Sequence, residues 1–216
     1  KGYLMMVTRK GKIKKVDMEK FSNPRKGGIK AINLREGDEL INVLKTTGND
    51  NIMLAKKNGR ANKFSEEKVR AMGRTAAGVR GIKLRGDDEV VGAVIADDEK
   101  TLLTITENGY GKRTKISKYS LTNRGGLGVK NIVCSDRNVK VVAVKQVDED
   151  SEVMFMSKNG IVIRTSASDI SVIGRNTQGV KLMNLAEDDK VVSAAKISEQ
   201  AEDQQEDSKD ESISNC

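Results

Sequence analysis

Apolar residues in this chain come in short runs, each broken by a glycine turn or a cluster of charge, and the breaks recur in order. Each cycle opens on an apolar strand (Leu4–Val7, Ile52–Ala55, Leu102–Ile105, Val153–Met156) that ends at a turn on Gly11, Gly59, Gly109 or Gly160. Three of these turns read Asn-Gly (Asn58-Gly59, Asn108-Gly109, Asn159-Gly160). Between apolar runs that dipeptide predicts a hairpin whose two turn positions both take φ > 0. A return strand follows, then a polar connection with room for a helical turn at most (Phe64–Ala71, Ser166–Ile170). A third strand opens on Gly-Val or Gly-Ile: Gly28–Leu34, Gly78–Leu84, Gly128–Cys134 and Gly179–Leu185. An acidic turn (Glu36–Glu39, Asp87–Glu89, Glu187–Asp189) leads into a fourth, Val/Ile-rich strand at Leu40–Leu44, Val90–Ile95, Val139–Val144 and Val191–Ala195. The third cycle departs from the pattern, with Ser135-Asp136-Arg137-Asn138 at the acidic turn.

The lead glycines of the third strands, Gly28, Gly78, Gly128 and Gly179, lie 50, 50 and 51 residues apart. So regular a period means one supersecondary unit used four times. Four short strands per unit predict an all-β, propeller-like array of about four blades with four strands each. The repeats run approximately 1–50, 51–100, 101–151 and 152–199, within a body of 1–199. Residues 200–216 form an acidic tail whose composition reads as disordered. The single proline, Pro24, falls in a connection, where it costs no ladder hydrogen bond. The chain enters its first strand directly after Lys1 and is read as a piece of a longer polypeptide.

Composition narrows the chemistry. Aromatics make up 3% of the chain and Trp and His are absent, so the core must be aliphatic. Without His the usual general base and the commonest metal ligand are missing. The two cysteines, Cys134 and Cys216, match no metal spacing. Cys134 takes a repeat leucine position and reads as a small buried hydrophobe in a reducing compartment. No catalytic centre, metal site or cofactor site is expected in this chain, and no small-molecule substrate. No targeting segment or bilayer-spanning run is present, so the expected location is a bacterial-type cytoplasm, with no membrane partner.

Charge supplies the functional lead. The net charge is +8, yet Ala201–Cys216 carries −5 (six acids and Lys209), which leaves +13 on the remainder. The cations recur by repeat position: one four residues past the hairpin glycine, one just before the third strand, and one on that strand. The triplets are Lys15/Arg25/Lys30, Lys63/Arg74/Arg80, Arg113/Arg124/Lys130 and Arg164/Arg175/Lys181, with Lys112 beside Arg113 in the third. In a radial array equivalent positions share one height, so these residues are expected to form a basic belt on the outer rim. Such a belt neutralises phosphates and releases counterions without reading bases. Duplex DNA is the expected partner, because the aromatics form no repeating set on which single-stranded bases would stack.

Three strings carry a resemblance. They are Val69-Arg70-Ala71-Met72-Gly73-Arg74-Thr75-Ala76-Ala77-Gly78-Val79-Arg80-Gly81, Glu107-Asn108-Gly109-Tyr110-Gly111-Lys112-Arg113-Thr114, and Gly174-Arg175-Asn176-Thr177-Gln178-Gly179-Val180. Over residues 1 to 197 the chain resembles the C-terminal domain of the DNA gyrase A protein. The resemblance implies a β-pinwheel, a propeller-like disc whose blades exchange strands and whose basic rim wraps duplex DNA, so that gyrase can introduce negative supercoils. It also implies as partners the rest of gyrase A, together with the gyrase B protein, with ATP and magnesium used only by the holoenzyme. Family members usually have six blades, and this chain corresponds to the last four. The family's glycine- and arginine-rich box is not intact here; the nearest strings are Asn123-Arg124-Gly125-Gly126-Leu127-Gly128 and Pro24-Arg25-Lys26-Gly27-Gly28. The similar domain in the A protein of topoisomerase IV is an alternative, as is a propeller-type platform for protein partners. The acidic tail is either a solubilising end or an internal mimic of DNA that competes for the belt.

Overall fold

The computed structural model describes residues 2–197, so the acidic tail lies outside the described residues. Its four repeats each begin with a hairpin: β1 (Tyr3–Thr8) with β2 (Lys12–Asp17), then β4 (Asn51–Lys56) with β5 (Arg60–Ser65). The third and fourth pair β8 (Thr101–Thr106) with β9 (Tyr110–Lys115), and β12 (Glu152–Ser157) with β13 (Val162–Ser166). Each turn closes with the glycine amide donating three residues back, as from Gly59 to the Lys56 carbonyl at 3.0 Å. Only the glycine is left-handed, at φ +77 for Gly59. The expectation that both Asn and Gly take φ > 0 is thereby corrected: among the described residues only Val139 and Asp188 do so without being glycine.

In three of the repeats an acid from the same repeat also holds the turn. Buried Asp38, Asp88 and Asp189 accept from the amides of Lys10, Asn58 and Asn159 at 2.8, 3.0 and 3.0 Å. The recurrent acidic turn is thus a fastening for the hairpin. In the third repeat Asn138 stands at this position and folds into its own loop, accepting from Ser135 N at 2.8 Å and donating to the Val133 and Gln178 carbonyls. Val139 is driven to φ 61 by that loop, and the fourth strand starts later than the pattern predicts, at Val141 rather than Val139.

The remaining strands are β3 (Leu40–Thr46), β6 (Val79–Arg80), β7 (Val90–Ile95), β10 (Val129–Lys130), β11 (Val141–Val147), β14 (Val180–Lys181) and β15 (Val191–Lys196). The sheet orders are β3-β1-β2-β6, β7-β4-β5-β10, β11-β8-β9-β14 and β15-β12-β13. Each third strand therefore completes the sheet of the preceding repeat: β6 on β2, β10 on β5, β14 on β9. Only two residues of each seven-residue candidate pair, and 28–34 forms no strand, since the described residues hold no earlier repeat whose hairpin could receive it. The fourth sheet accordingly has three strands, and four strands drawn from one repeat are nowhere combined in one blade.

A lead glycine shows why the seat is specific. Gly128 has φ +76, and a Cβ there would lie 2.5 Å from the Ala61 carbonyl oxygen of the receiving strand. Gly28 has the same conformation, φ +75, with nothing within 4 Å. The fourth strands β3, β7, β11 and β15 stand side by side as an inner row. Apolar clusters fill the space between successive blades, for example Val7, Ile13, Ile52, Leu54, Phe64 and Val90 between the first two. Each such side chain removed from water contributes about 1.5–3 kcal/mol.

Candidate nucleic-acid interface

The belt predicted from the sequence divides into an inner and an outer set. Lys15, Lys63 and Arg113 are only 7%, 4% and 3% exposed, and Lys112 is wholly buried. The expectation that they face outward on the rim is corrected by what covers them. The connection of the next repeat runs parallel to the hairpin strand and bridges Lys15 to Ala71, Lys63 to Leu121 and Arg113 to Val172. Each cation also meets an acid, and those facing Lys63 and Arg113 are more than half exposed. Lys15 lies 3.7 Å from fully buried Glu66, Lys63 pairs with Asp98, and Arg113 holds Glu149 through two bonds of 2.9 and 3.1 Å. The Lys15–Glu66 pair reaches into the following repeat, while Asp98 and Glu149 lie in the turns that lead into the next hairpin. Arg164, on the last hairpin, has no such bridge among the described residues and is 53% exposed, 3.0 Å from Glu152.

One residue earlier on each of the first three hairpins sits a second tie that the sequence did not reveal. Lys14 donates to the Ala31 carbonyl at 2.7 Å and to the Arg74 carbonyl. Asn62 donates to the Asn123 carbonyl at 3.2 Å. Lys112 donates to the carbonyls of Gly174 and Arg175 at 2.5 and 3.0 Å and to the Thr177 hydroxyl at 3.0 Å. Each therefore grips the basic loop of the next repeat. Burial without a carboxylate partner, and then the Arg175 charge, pull the Lys112 ammonium down to about 8. Burial likewise lowers Lys14.

The outer set consists of the cations on the gripped loops and the exchanged strands. Arg25, Lys30, Arg80, Lys130 and Lys181 are exposed, and Arg74, Arg124 and Arg175 half-buried. These are linked from repeat to repeat. Each loop lies along the exchanged strand before it, through bonds from Lys83 N to Gly126 O at 2.8 Å and from Val133 N to Thr177 O at 2.9 Å. The Arg124 guanidinium donates to the Arg80 carbonyl, and that of Arg175 to the Lys130 carbonyl at 3.2 Å. Arg25, Lys30 and Arg74 share one cleft of about 550 Å³. A guanidinium fixed by its own backbone bonds keeps its remaining N–H donors aimed outward, the arrangement that suits phosphate oxygens.

Two further cations join this path. Lys12 stands directly opposite Arg80, and Arg60 directly opposite Lys130. Like charges facing across a strand pair are unfavourable, and here the pairing recurs at two junctions. The signal in the sequence was the residue following each hairpin glycine, but only the strand exchange reveals its partner. Among the described residues no cluster of three or more His, Cys, Asp or Glu is placed to hold a metal, and no helix is long and apolar enough to cross a membrane.

The family model for the DNA gyrase C-terminal domain, a beta-propeller, matches residues 2–47, 50–97, 100–148 and 151–198. The DNA gyrase A protein of Salmonella typhimurium is 46% identical over 210 residues, which cover 97% of this chain and 24% of that protein. Its counterpart in Leptospira biflexa is 54% identical over 201 residues, 93% of this chain and 24% of the relative. The chain thus spans about a quarter of the length of the curated relatives it matches. Among solved structures, a DNA gyrase A C-terminal domain superposes with a TM-score of 0.81 at 31% identity, covering 91% of this chain and 66% of the other. The C-terminal domain of a DNA topoisomerase IV gives a TM-score of 0.87 at 23% identity, covering 95% and 66%, a likeness of fold.

Proposed function

This chain belongs to the DNA gyrase C-terminal domain family, and on that premise we propose that it binds duplex DNA along its outer cations and bends the duplex around the array. The observation that carries this reading is the continuity of the outer path: loop arginines of one repeat are bonded to the exchanged strand of the repeat before. A duplex following the path meets cations from every repeat at a spacing set by the fold. Contacts of this kind are to phosphates, so binding is independent of sequence and steeply dependent on salt. Smoothly bending a site of 20–30 base pairs costs on the order of 1–6 kcal/mol, so several junctions must act together.

In the whole enzyme this wrapping would present DNA to the rest of gyrase A and to the gyrase B protein, where ATP and magnesium would be used. The domain itself would contribute no catalytic residue, and the bacterial cytoplasm, at the nucleoid, is its proposed site of action. Ligation of a nicked circular plasmid in the presence of the purified chain tests the proposal. A shift in linking number that grows with protein and disappears at high salt is expected. An unchanged distribution, with no salt-sensitive binding to the plasmid, would refute it.

A further inference from the structure

The third hairpin breaks the pattern of facing cations. The residue after the hairpin glycine is Lys12, Arg60 and then Tyr110, and it faces Arg80, Lys130 and Lys181 respectively. Two junctions thus hold a pair of cations, and the last holds a tyrosine beside one lysine. A second departure lies in the same repeat. Nine residues past the lead glycine stand Gly37, Asp87, Arg137 and Asp188, so only the third repeat places a cation there. The two departures meet in space: the Arg137 guanidinium lies over the Tyr110 ring, 4.5 Å from its centroid.

We propose that Arg137, seated on the face of Tyr110, is the second cation of the last junction and binds the DNA backbone together with Lys181. The inference rests on the duplex-binding reading above and adds to it a residue from a position that is acidic or glycine in the other repeats. Tyr110 is a positioning residue here. Its ring holds the guanidinium by cation–π attraction, and the Asn108 side chain fixes the Arg137 carbonyl at 3.0 Å from below. Arg137 and Lys181 are both exposed, and among the described residues neither has a carboxylate within ion-pair distance. Together with Tyr110 they line a cleft of about 290 Å³.

Two acids also reach this cleft, Asp188 and Asp189. Asp189 is buried and already accepts from the amides of Asn159 and Lys190 at 3.0 and 2.8 Å. Asp188 is exposed, so the outer part of the cleft holds two cations against one carboxylate. The Tyr110 phenol is drawn below its ordinary value by Arg137, first through a hydrogen bond, and by the Lys181 charge, which fits two cations converging on one point. Loss of the acidic fastening at Asn138 and gain of a cation at Arg137 belong to one rearranged turn. The last junction keeps its pair of charges by that means.

The test measures binding of a linear duplex of mixed sequence by the full chain over a range of potassium chloride concentrations. Arg137→Ala should flatten the log–log salt slope by about 0.9, the value for one phosphate contact, with affinity several-fold lower at low salt. Tyr110→Leu should do the same, and the double variant should lose no more than either single one. Tyr110→Phe keeps the ring face but not the phenol oxygen that meets Arg137, so it should fall between the parent and Tyr110→Leu, which separates positioning from general surface damage. Lys181→Ala serves as the reference for losing one contact. Should Lys181→Ala flatten the slope while Arg137→Ala leaves slope and affinity unchanged, this inference falls and the duplex-binding reading stands. Should the parent chain show no salt-dependent binding, both fall.

Discussion

Gly128→Ala and Gly28→Ala form a matched pair that isolates the seat of an exchanged strand. The two glycines share a backbone conformation, φ +76 and +75, and the same place in their repeats. An alanine in the left-handed region costs roughly 1–2 kcal/mol by itself, and both variants incur it. At Gly128 the new Cβ also meets the Ala61 carbonyl oxygen at 2.5 Å and its carbon at 2.8 Å, both backbone atoms that cannot swing aside. Relief requires β10 to lift from β5, where only Val129 and Lys130 are paired. Losing those bonds costs about 1 kcal/mol each, so Gly128→Ala is expected to destabilise by about 3–4 kcal/mol and Gly28→Ala by about 1–2. Urea unfolding at neutral pH measures both. For a chain of this size a difference of about 2 kcal/mol corresponds to roughly 4–8 °C in Tm. Equal losses in the two variants would refute the idea that close seating on the preceding repeat secures the third strand.

Two more outcomes follow from buried charges and one from the surface near them. Lys112 titrates near 8 when folded against about 10.4 when unfolded, so between those values only the unfolded chain holds the proton and stability should rise with pH, by at most about 3 kcal/mol. Lys112→Met should lack that rise, and the parent-minus-variant difference in unfolding free energy at pH 7.5 and pH 10 reads it; a constant difference contradicts the assignment. Glu66→Ala leaves Lys15 buried without its acid, and the Thr46 hydroxyl and the Gly48 and Asp50 amides without their acceptor. The expected loss is about 3–5 kcal/mol, and chemical denaturation giving less than 1 would argue against a structural tie. Asp148 is held at about 2, first by the Ser151 hydroxyl and then by Lys100 and Lys196. Its contribution is complete above the ordinary carboxylate value and fades as pH falls through about 2. Solvent limits it to under about 1 kcal/mol, and acid titration of Asp148→Asn beside the parent should show that increment missing.

Much of this was legible in the residues. The glycine period gave the number of repeats, and the apolar runs located the hairpin and fourth strands to within two or three residues. What the period could not say is which sheet a strand joins, because pairing of Val79-Arg80 with β2 depends on a hairpin more than sixty residues away. The same distance hid the fate of the hairpin cations. The acids that pair with Lys15, Lys63 and Arg113 lie 51, 35 and 36 residues further on; Asp98 and Glu149 share a repeat position, each three residues before the next hairpin, whereas Glu66 opens a 3-10 turn of the second repeat. Repetition therefore read as exposure, when at that step it reports a recurring internal tie. The cations of the exchanged strands, Arg80, Lys130 and Lys181, are exposed, whereas the loop arginines Arg124 and Arg175 are half-buried against the exchanged strand before them.

A lent strand also imposes an order of events on synthesis. β2 is complete at Asp17, but the strand that closes its edge does not begin until Val79. At the roughly 5–20 residues per second of chain growth, that edge waits several seconds as an open template for pairing with any neighbouring chain, and β5 waits likewise for Val129. Lysine along an edge is a common guard against such mispairing, and β2 carries Lys12, Lys14 and Lys15, while β5 carries Arg60 and Lys63. The charges that later grip loops and line the outer path would thus protect the nascent chain first, keeping each unfinished blade soluble until its neighbour emerges.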